Sequence, residues 1–474
     1  MSAECTPLTP NTEKAFPSPA SEAVCAASEA FKVQNGRAPR CFVLTFGCQQ
    51  NVADSEKLSG MAQAMGYEIT DAPEHAELIL VNTCAIREHA ERRALSIVGQ
   101  YKHLKEKNRS LIIGVCGCMV AQEHRRDELK KSYPYVDFVL GTSVLHRLPE
   151  RLAERLQRKR RLFSGEEECV IAEGMPIRRE SHYRAYVSIM YGCNNFCSYC
   201  IVPYVRGRER SRAPEDIIAE VKALVAEGCR DITLLGQNVN SYGKGREDGF
   251  DFADLLKELD AIEGDFILRF MTSHPKDATR KLIDVMASGK HIAHAFHLPL
   301  QSGSDDVLRR MNRHYDRAKY LDTLDYMREK MPDVAVTSDI IVGFPGESDA
   351  DFEDTLSMLE RVRFDMIYSF IYSPRKGTPA AEMENAVPRA VQNERFSRLL
   401  ALQEEISLAA NAPLVGTRQR VLCDGVSKTD PGMLSGRNEQ NKIVFFADDG
   451  TAAGEWAEVE IDRAAPFALY GKKI

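Results

Sequence analysis

The chain carries one tryptophan in 474 residues, and it lacks any apolar stretch approaching the roughly eighteen residues that would predict a bilayer span. No internal repeat is present. The first residues show no basic stretch followed by an apolar one, so secretion is not expected and a cytoplasmic protein is. No large excess of charge announces a partner. The 62 basic and 69 acidic side chains give −7, so any RNA must be held by a local basic surface. Thirteen cysteines are too few for a disulfide scaffold, and their number is odd. In a reducing compartment such cysteines are more often metal ligands or catalytic groups. Hydrophobic residues at 44% and charged residues at 28% lie near the averages of folded chains, which rules out a wholly disordered or collagen-like protein.

The pattern predicts an α/β protein of several parts. Residues 1–38, rich in Ser, Ala, Thr, Pro and Glu without an apolar period, read as a disordered tail in which Cys5 and Cys25 are free thiols. Across 39–150, apolar runs at 41–46, 76–82, 111–116 and 135–140 alternate with helical stretches at 54–65 and 87–107. That is the pattern of a small parallel α/β domain, whose ligands sit at the carboxyl ends of strands. Residues 151–182 read as a charged connector, solvated or in contact with phosphate, with a basic run at 158–161. Within 183–412, strands at 185–190, 231–235, 266–270, 294–298, 334–342 and 366–371 alternate with helices at 214–227, 252–262, 317–330 and 350–361, which predicts a partial (β/α) barrel. A linking helix at 388–411 has Phe396, Leu399, Leu400, Leu402 and Ile406 as its apolar stripe. Residues 413–474, with strands at 417–423, 442–446 and 456–461, predict a small antiparallel β-barrel.

The strongest chemical signal is Tyr191-Gly-Cys193-Asn-Asn-Phe-Cys197-Ser-Tyr-Cys200, directly after the first strand of the partial barrel. Three thiolates on one loop suit three irons of a cubane and leave the fourth without a protein ligand, as catalytic metals keep an exchangeable position. Structural zinc is the alternative, but no second pair at ribbon or finger spacing lies nearby. Cys48, Cys84 and Cys118 fall at strand ends, 36 and 34 residues apart. No loop unites them, and only a parallel sheet folding back on itself gathers such residues. From the residues alone, a shared metal and three buried thiols both remain open.

The cysteine loop, with Tyr199 before its last cysteine, resembles that of the radical S-adenosylmethionine superfamily. Thr45-Phe-Gly-Cys48-Gln-Gln-Asn51, Asn82-Thr-Cys84-Ala-Ile-Arg87 and Gly117-Cys118-Met-Val-Ala-Gln122 resemble the amino-terminal domain of the methylthiotransferases, in order. Leu235-Gly-Gln-Asn-Val-Asn240, Thr272-Ser-His-Pro275, His297-Leu-Pro-Leu-Gln-Ser-Gly-Ser304 and Ile341-Val-Gly-Phe-Pro-Gly-Glu347 continue the pattern, and the terminal barrel resembles a TRAM domain. Over residues 40–474 the chain resembles the methylthiotransferases, closest to the MiaB type, which act on N6-isopentenyladenosine next to the anticodon in tRNA. One departure is Gln50, where many members have Met.

The resemblance implies a 4Fe-4S cluster on Cys193, Cys197 and Cys200, where S-adenosylmethionine is cleaved to a 5′-deoxyadenosyl radical. It implies an auxiliary 4Fe-4S cluster on Cys48, Cys84 and Cys118, the Gly-Cys-x-x-Ala-Gln context selecting Cys118 over Cys116. One S-adenosylmethionine methylates a sulfur on the auxiliary cluster. The radical from a second removes hydrogen from carbon 2 of the adenine, where the methylthio group is placed. Implied partners are the tRNA anticodon stem-loop and a flavodoxin- or ferredoxin-like reductant. Enzymes acting on threonylcarbamoyl-adenosine in tRNA, or on an aspartate of a ribosomal protein, share this architecture. A non-catalytic Fe–S RNA-binding protein is the reading from another class.

Expected cofactor contacts are Tyr199, Gln237, Asn238, Ser273 and Gln301, with the turn at 343–347 beside the adenine. In Arg206-Gly-Arg-Glu-Arg-Ser-Arg212, the family pattern favours places near the site for Arg206, toward the cofactor carboxylate, and Arg212, toward RNA. Beyond residue 415, eight basic and nine acidic side chains leave RNA binding to local groups: Arg418, Arg420, Lys428 and Arg437. His291, His294 and His297 are spaced so that all three do not share a face, and read as core or capping residues. Cys41, Cys169, Cys229 and Cys423 have no partner at useful spacing.

Overall fold

Runs such as Leu78–Thr83, apolar on both faces, suit strands covered on two sides, and crossover helices between them make those strands parallel. The computed structural model describes residues 12–14, 16–86, 88–158, 160–165, 170–428 and 430–474, so Cys5, Arg87, Lys159 and Cys169 lie outside the described residues. Two compact units are present: Met1–Glu180 with Met190–Asn194 and Cys200–Arg212, and Ser181–Ile189 with Asn195–Tyr199 and Ala213–Ile474.

In the first unit, β1 (Arg40–Thr45), β2 (Glu68–Ile69), β3 (Leu78–Thr83), β4 (Ile112–Gly117) and β5 (Phe138–Leu140) form a parallel sheet in the order β2-β1-β3-β4-β5. Alternate residues serve its two cores: Leu78, Leu80 and Cys116 face one, while Ile79, Val81, Ile113 and Val115 face the other.

The expected disordered tail is corrected over its second half, where Pro19–Asn35 is a helix, α1. Ser18 caps its amino end reciprocally with Ser21, Pro19 occupies the first turn, and Gly36 closes it at φ 70°. Its inner stripe is small rather than apolar: Ser21, Val24 and Ser28 are buried, and a Cβ on Gly66 would stand 3.0 Å from Ser28 Cβ. Close backbone approach replaces hydrophobic bulk, so the segment lacks the periodic signal of an ordinary amphipathic helix. Helix α2 (Gln49–Ala64) follows β1. The expected solvated connector is corrected too: α3 (Leu148–Arg158) packs on α1, and Leu148 and Leu152 join the core that holds Val24.

The second unit contains β6 (Arg184–Ser188), β7 (Asp231–Leu235), β8 (Ile267–Phe270), β9 (Ala295–His297), β10 (Ala335–Val342) and β11 (Met366–Ile371). They pair in parallel as β8-β7-β6 and β9-β10-β11, with a parallel bridge from Leu268 to Ile292 continuing the run. This is the expected partial barrel. Helix α4 (Arg389–Asn411) departs from its expected stripe: Leu400 is 43% exposed, whereas Gln392, Arg395, Gln403, Ser407 and Asn411 are buried. The helix lies over strand ends and turns, where backbone groups need partners. Gln392 donates to the Gly343 carbonyl, Gln403 to Phe364, Ser407 to Asp365, and Arg395 pairs with Glu347 at 2.7 Å.

Strands β12 (Arg418–Val426), β13 (Met433–Asn438), β14 (Ile443–Ala447), β15 (Trp456–Ala465) and β16 (Ala468–Lys473) close a barrel in the order β12-β13-β14-β16-β15. The all-antiparallel expectation is corrected at β14 and β16, which run parallel. An odd number of strands in a closed ring cannot alternate throughout, so one neighbouring pair must share a direction.

Candidate functional site

Each cysteine of the amino-terminal triplet follows a sheet strand. Cys48 caps α2 after β1, Cys84 follows β3, and Cys118 opens a short helix after β4. The parallel register brings these strand ends side by side, with Thr45 opposite Asn82 and Thr83 opposite Gly117. Two glycines permit the approach. A Cβ on Gly47, φ 122°, would stand 2.8 Å from Cys84 Cβ, and one on Gly117, φ 95°, would lie 2.3 Å from Asn82 Oδ1. Asn51 donates to the Thr83 carbonyl at 2.9 Å and Asn82 to the Asn51 carbonyl at 2.8 Å, lashing α2 to the end of β3. Cys116 is buried inside β4, while Cys118 stands past its end.

Burial pushes the Cys118 thiol up to about 12; Arg206 opposes this, and Cys84 and Cys48 are close enough to add to it. Arg206 is buried, and its Nη2 lies 2.9 Å from Asp54 Oδ2. Gln50, the departure from the family pattern, donates to the other oxygen of Asp54 at 3.2 Å. Arg206 therefore stands at the Cys118 triplet, paired with Asp54. Behind it, Ile201 and Val205 pack against Cys118 and Ala85.

The Cys193-to-Cys200 loop contributes to both units. In the first, the Cys193 amide donates to the Gly207 carbonyl at 3.1 Å, and Lys57 on α2 donates to the Tyr191 hydroxyl at 2.8 Å. In the second, Ser198 donates through its amide to the Met311 carbonyl at 3.0 Å and through its hydroxyl to Arg310 at 2.8 Å. Asn312 Nδ2 donates to the Phe196 carbonyl at 3.0 Å, and both Phe196 and Asn312 hold left-handed backbone, at φ 45° and 59°. Arg313 Nη1 donates to Cys197 Sγ at 3.2 Å. Sequence reading missed Arg313, and no local motif could have announced a contact spanning 116 positions.

None of the eleven described cysteines forms a disulfide. Among the described residues no group of three or more His, Cys, Asp or Glu side chains stands in metal-holding geometry. A cubane presents its irons at separate corners, so its thiolates stand farther apart than donors to a single ion. The donor chemistry, three thiols per group at buried or half-buried positions, fits an Fe–S cluster.

In the partial barrel, Asn238 follows β7, Ser273 follows β8, and Gln301 follows β9 by way of a bridge to Ile340. Asn238 is buried; its amide nitrogen donates to Asp277 at 2.8 Å, while its side-chain oxygen has no protein partner. That orphaned acceptor fits the amino group of S-adenosylmethionine. Thr272 and Gln301 both sit at φ 68°, strain concentrated at strand ends. Ser273 donates its hydroxyl to the His297 carbonyl, Gln237 is half-buried, and Tyr199 packs edge-on against Phe344. Of the three histidines, His291 stacks on Phe266, His294 meets Asp333, and His297 meets Thr337.

Of the expected RNA contacts, Arg212 is corrected. It is buried and paired twice with Glu173, at 2.5 and 2.9 Å, rather than standing at the surface. Arg420 pairs with Asp265 at 2.6 Å over the Trp456 ring, and Arg437 lies 3.8 Å from Asp424. Arg418 and Lys428 are exposed. On β14 and β16, Phe445 stacks on Tyr470, which lies under Arg463.

Residues 40–141 match an uncharacterized protein family, UPF0004; residues 187–359 match the Radical SAM superfamily; residues 413–474 match the TRAM domain. The chain is 49% identical over 442 residues to a tRNA-2-methylthio-N(6)-dimethylallyladenosine synthase of Caldicellulosiruptor saccharolyticus, covering 93% of this chain and 94% of the relative. It is 49% identical to the protein of that name from Clostridium botulinum, with 91% and 96% covered, and 48% identical to that of a Thermoanaerobacter species, with 91% and 92% covered. Among solved structures, the radical S-adenosylmethionine methyltransferase TsrM from Kitasatospora setae, with cobalamin and a 4Fe-4S cluster bound, shares the fold at a TM-score of 0.53 and 12% identity, over 84% of this chain and 77% of that one. Among the described residues no helix is long and apolar enough to cross a membrane.

Proposed function

Because this chain belongs to the tRNA-2-methylthio-N(6)-dimethylallyladenosine synthases, radical S-adenosylmethionine enzymes that act on tRNA, we propose that it places a methylthio group on carbon 2 of N6-isopentenyladenosine next to the anticodon, using two 4Fe-4S clusters. Cys193, Cys197 and Cys200 would hold one cluster, Cys48, Cys84 and Cys118 the other. When bound, these groups and S-adenosylmethionine supply the electron transfer, the radical and the sulfur that side chains cannot provide. Low-potential electrons would come from a flavodoxin- or ferredoxin-like protein.

The chain's own residues prepare the chemistry. Asn238 offers its unpartnered oxygen to the cofactor's amino group, with Ser273, Gln301, Gln237 and Tyr199 on neighbouring strand ends and the cysteine loop. Lys244, Lys276 and Asn238 all meet Asp277, which fixes the Asn238 amide and so aims its oxygen. Arg206 sets a permanent positive charge beside thiols that ligation makes anionic. The domains follow: 39–150 for the auxiliary cluster, 183–412 for cofactor cleavage, and 413–474 for RNA, with Arg418 and Lys428 on phosphate and the Phe445–Tyr470 stack offering a platform for a base.

One observation carries this reading. Three cysteines from three different strands are gathered beside a buried guanidinium, with two glycines held at left-handed φ to allow it. A thiol core needs none of that arrangement. The test is nucleoside analysis of tRNA from a deletion strain carrying either the wild-type gene or C118A. The methylthiolated isopentenyladenosine should return only with the wild type. Its loss should spare threonylcarbamoyl-adenosine derivatives and the ribosomal aspartate; a change in either of those instead would transfer the assignment to a related enzyme.

A further inference from the structure

Arg313 is 4% exposed and, among the described residues, meets no carboxylate. Its Nη1 donates to Cys197 Sγ at 3.2 Å and reaches the Tyr199 hydroxyl at 3.4 Å. Nη2 donates to the Pro299 carbonyl at 3.1 Å, and Nε lies 3.2 Å from the Tyr315 hydroxyl. Among the other buried guanidinia, those of Arg206, Arg212, Arg269 and Arg395 each face an acidic side chain. A buried charge without an anion is too costly to keep. Among the partners of Arg313, a carbonyl cannot ionise, and burial pushes the Tyr315 hydroxyl further above a range already high for a phenol. Cys197 is the one partner that metal ligation turns into an anion. The bonds from Ser198 to Arg310 and Met311, and from Asn312 to Phe196, tie the cysteine loop to the segment carrying Arg313 and hold the two side by side.

We propose that Arg313 is a positioning residue for the cluster at Cys193, Cys197 and Cys200, whose N–H···S bond and positive charge ease its one-electron reduction. The inference rests on the cluster reading above. Reduction adds one electron, hence one negative charge, to a group whose ligand sulfur lies within hydrogen-bond reach of a cation in a water-poor site. Stabilising the more negative state raises the potential. The reaction that cleaves the sulfonium therefore starts from a cluster that a biological reductant can fill.

The test uses the full-length chain with Cys48, Cys84 and Cys118 all changed to Ala, so that one cluster is observed, reconstituted anaerobically and titrated with dithionite under electron paramagnetic resonance. At the potential where the parent is half reduced, R313Q should show a reduced-to-oxidised ratio about tenfold lower, equal to a 59 mV fall for one electron. R313K should stay close to the parent. Loss of the cluster in R313Q with retention in R313K also supports the role of the charge. An unchanged midpoint in R313Q at full iron content overturns it, as does equal loss of iron from both variants, which would make the residue a packing element. A parent chain that binds no iron refutes the cluster reading itself, a result distinct from either.

Discussion

Arg206 and Asp54 form a buried ion pair, Nη2 to Oδ2 at 2.9 Å, with side chains 6% and 4% exposed, beside the thiol of Cys118. They lie 152 positions apart, and Gln50 completes the carboxylate's contacts. Removing one member of such a pair strands the other in a site from which water is excluded. We expect D54A to cost about 3–5 kcal/mol. A joint D54L and R206M change should cost far less than the two single changes added together. Hydrogen exchange at the amides of β1 and β3 reads the local loss, and iron loading reads its effect on the triplet. Additive costs would contradict the pairing.

The cysteines divide by role. C193A, C197A or C200A should abolish 5′-deoxyadenosine formation. C48A, C84A or C118A should leave that cleavage measurable while stopping methylthio transfer. Chromatography of the cleavage product and of the modified nucleoside, run on the same reaction, separates the two outcomes. Methylthiolated tRNA from C84A at the wild-type level would remove the auxiliary triplet from the account.

Burial pushes the Asp277 carboxyl up, but hydrogen bonds from Lys244, Lys276 and Asn238 outweigh it and hold the group below its ordinary 3.8. A depressed carboxyl stabilises the fold fully above its unfolded value, and that contribution fades as pH falls through the lower folded one. The stability difference between wild type and D277N should therefore be flat from about pH 5 to 8 and shrink below about pH 4. Thermal unfolding across that range checks it; a difference that grows on acidification would reverse the sign.

Exposed Arg418 and Lys428 differ from the buried, doubly paired Arg212. R418Q and K428Q should each reduce the magnitude of the salt slope of tRNA binding by about one, if each releases one counterion. R212Q should leave the slope unchanged and instead weaken the fold around Glu173. Binding titrations over a salt series distinguish these. A slope change in R212Q alone would reverse the assignment.

The strands of the partial barrel were legible because apolar runs such as 231–235 and 366–371 recur between helical periods, and local pattern decides such elements. The cysteine loop at 193–200 stood out by its spacing, whereas Cys48, Cys84 and Cys118 were singled out only by the family resemblance. Helix α1 was not, since Ser21, Val24 and Ser28 pack by smallness, which composition reads as low complexity. The stripe of α4 failed for the opposite reason: its buried face answers the backbone groups of turns, so Gln403 and Ser407 face inward while Leu400 faces water. Arg206 was legible as a candidate but its partner Asp54 was not, because that pairing is fixed by folding, not by spacing. Arg313 carries no sequence signal, for its thiol partner is equally remote in the chain.

The account turns most directly on iron. The full-length chain, reconstituted anaerobically with iron and sulfide and freed of loosely bound metal, should hold about eight irons, falling to about four when either Cys48, Cys84 and Cys118 or Cys193, Cys197 and Cys200 are replaced together. A wild-type chain saturating at about four, or a replacement of either triplet that leaves the count unchanged, would contradict the assignment of one cubane to each triplet.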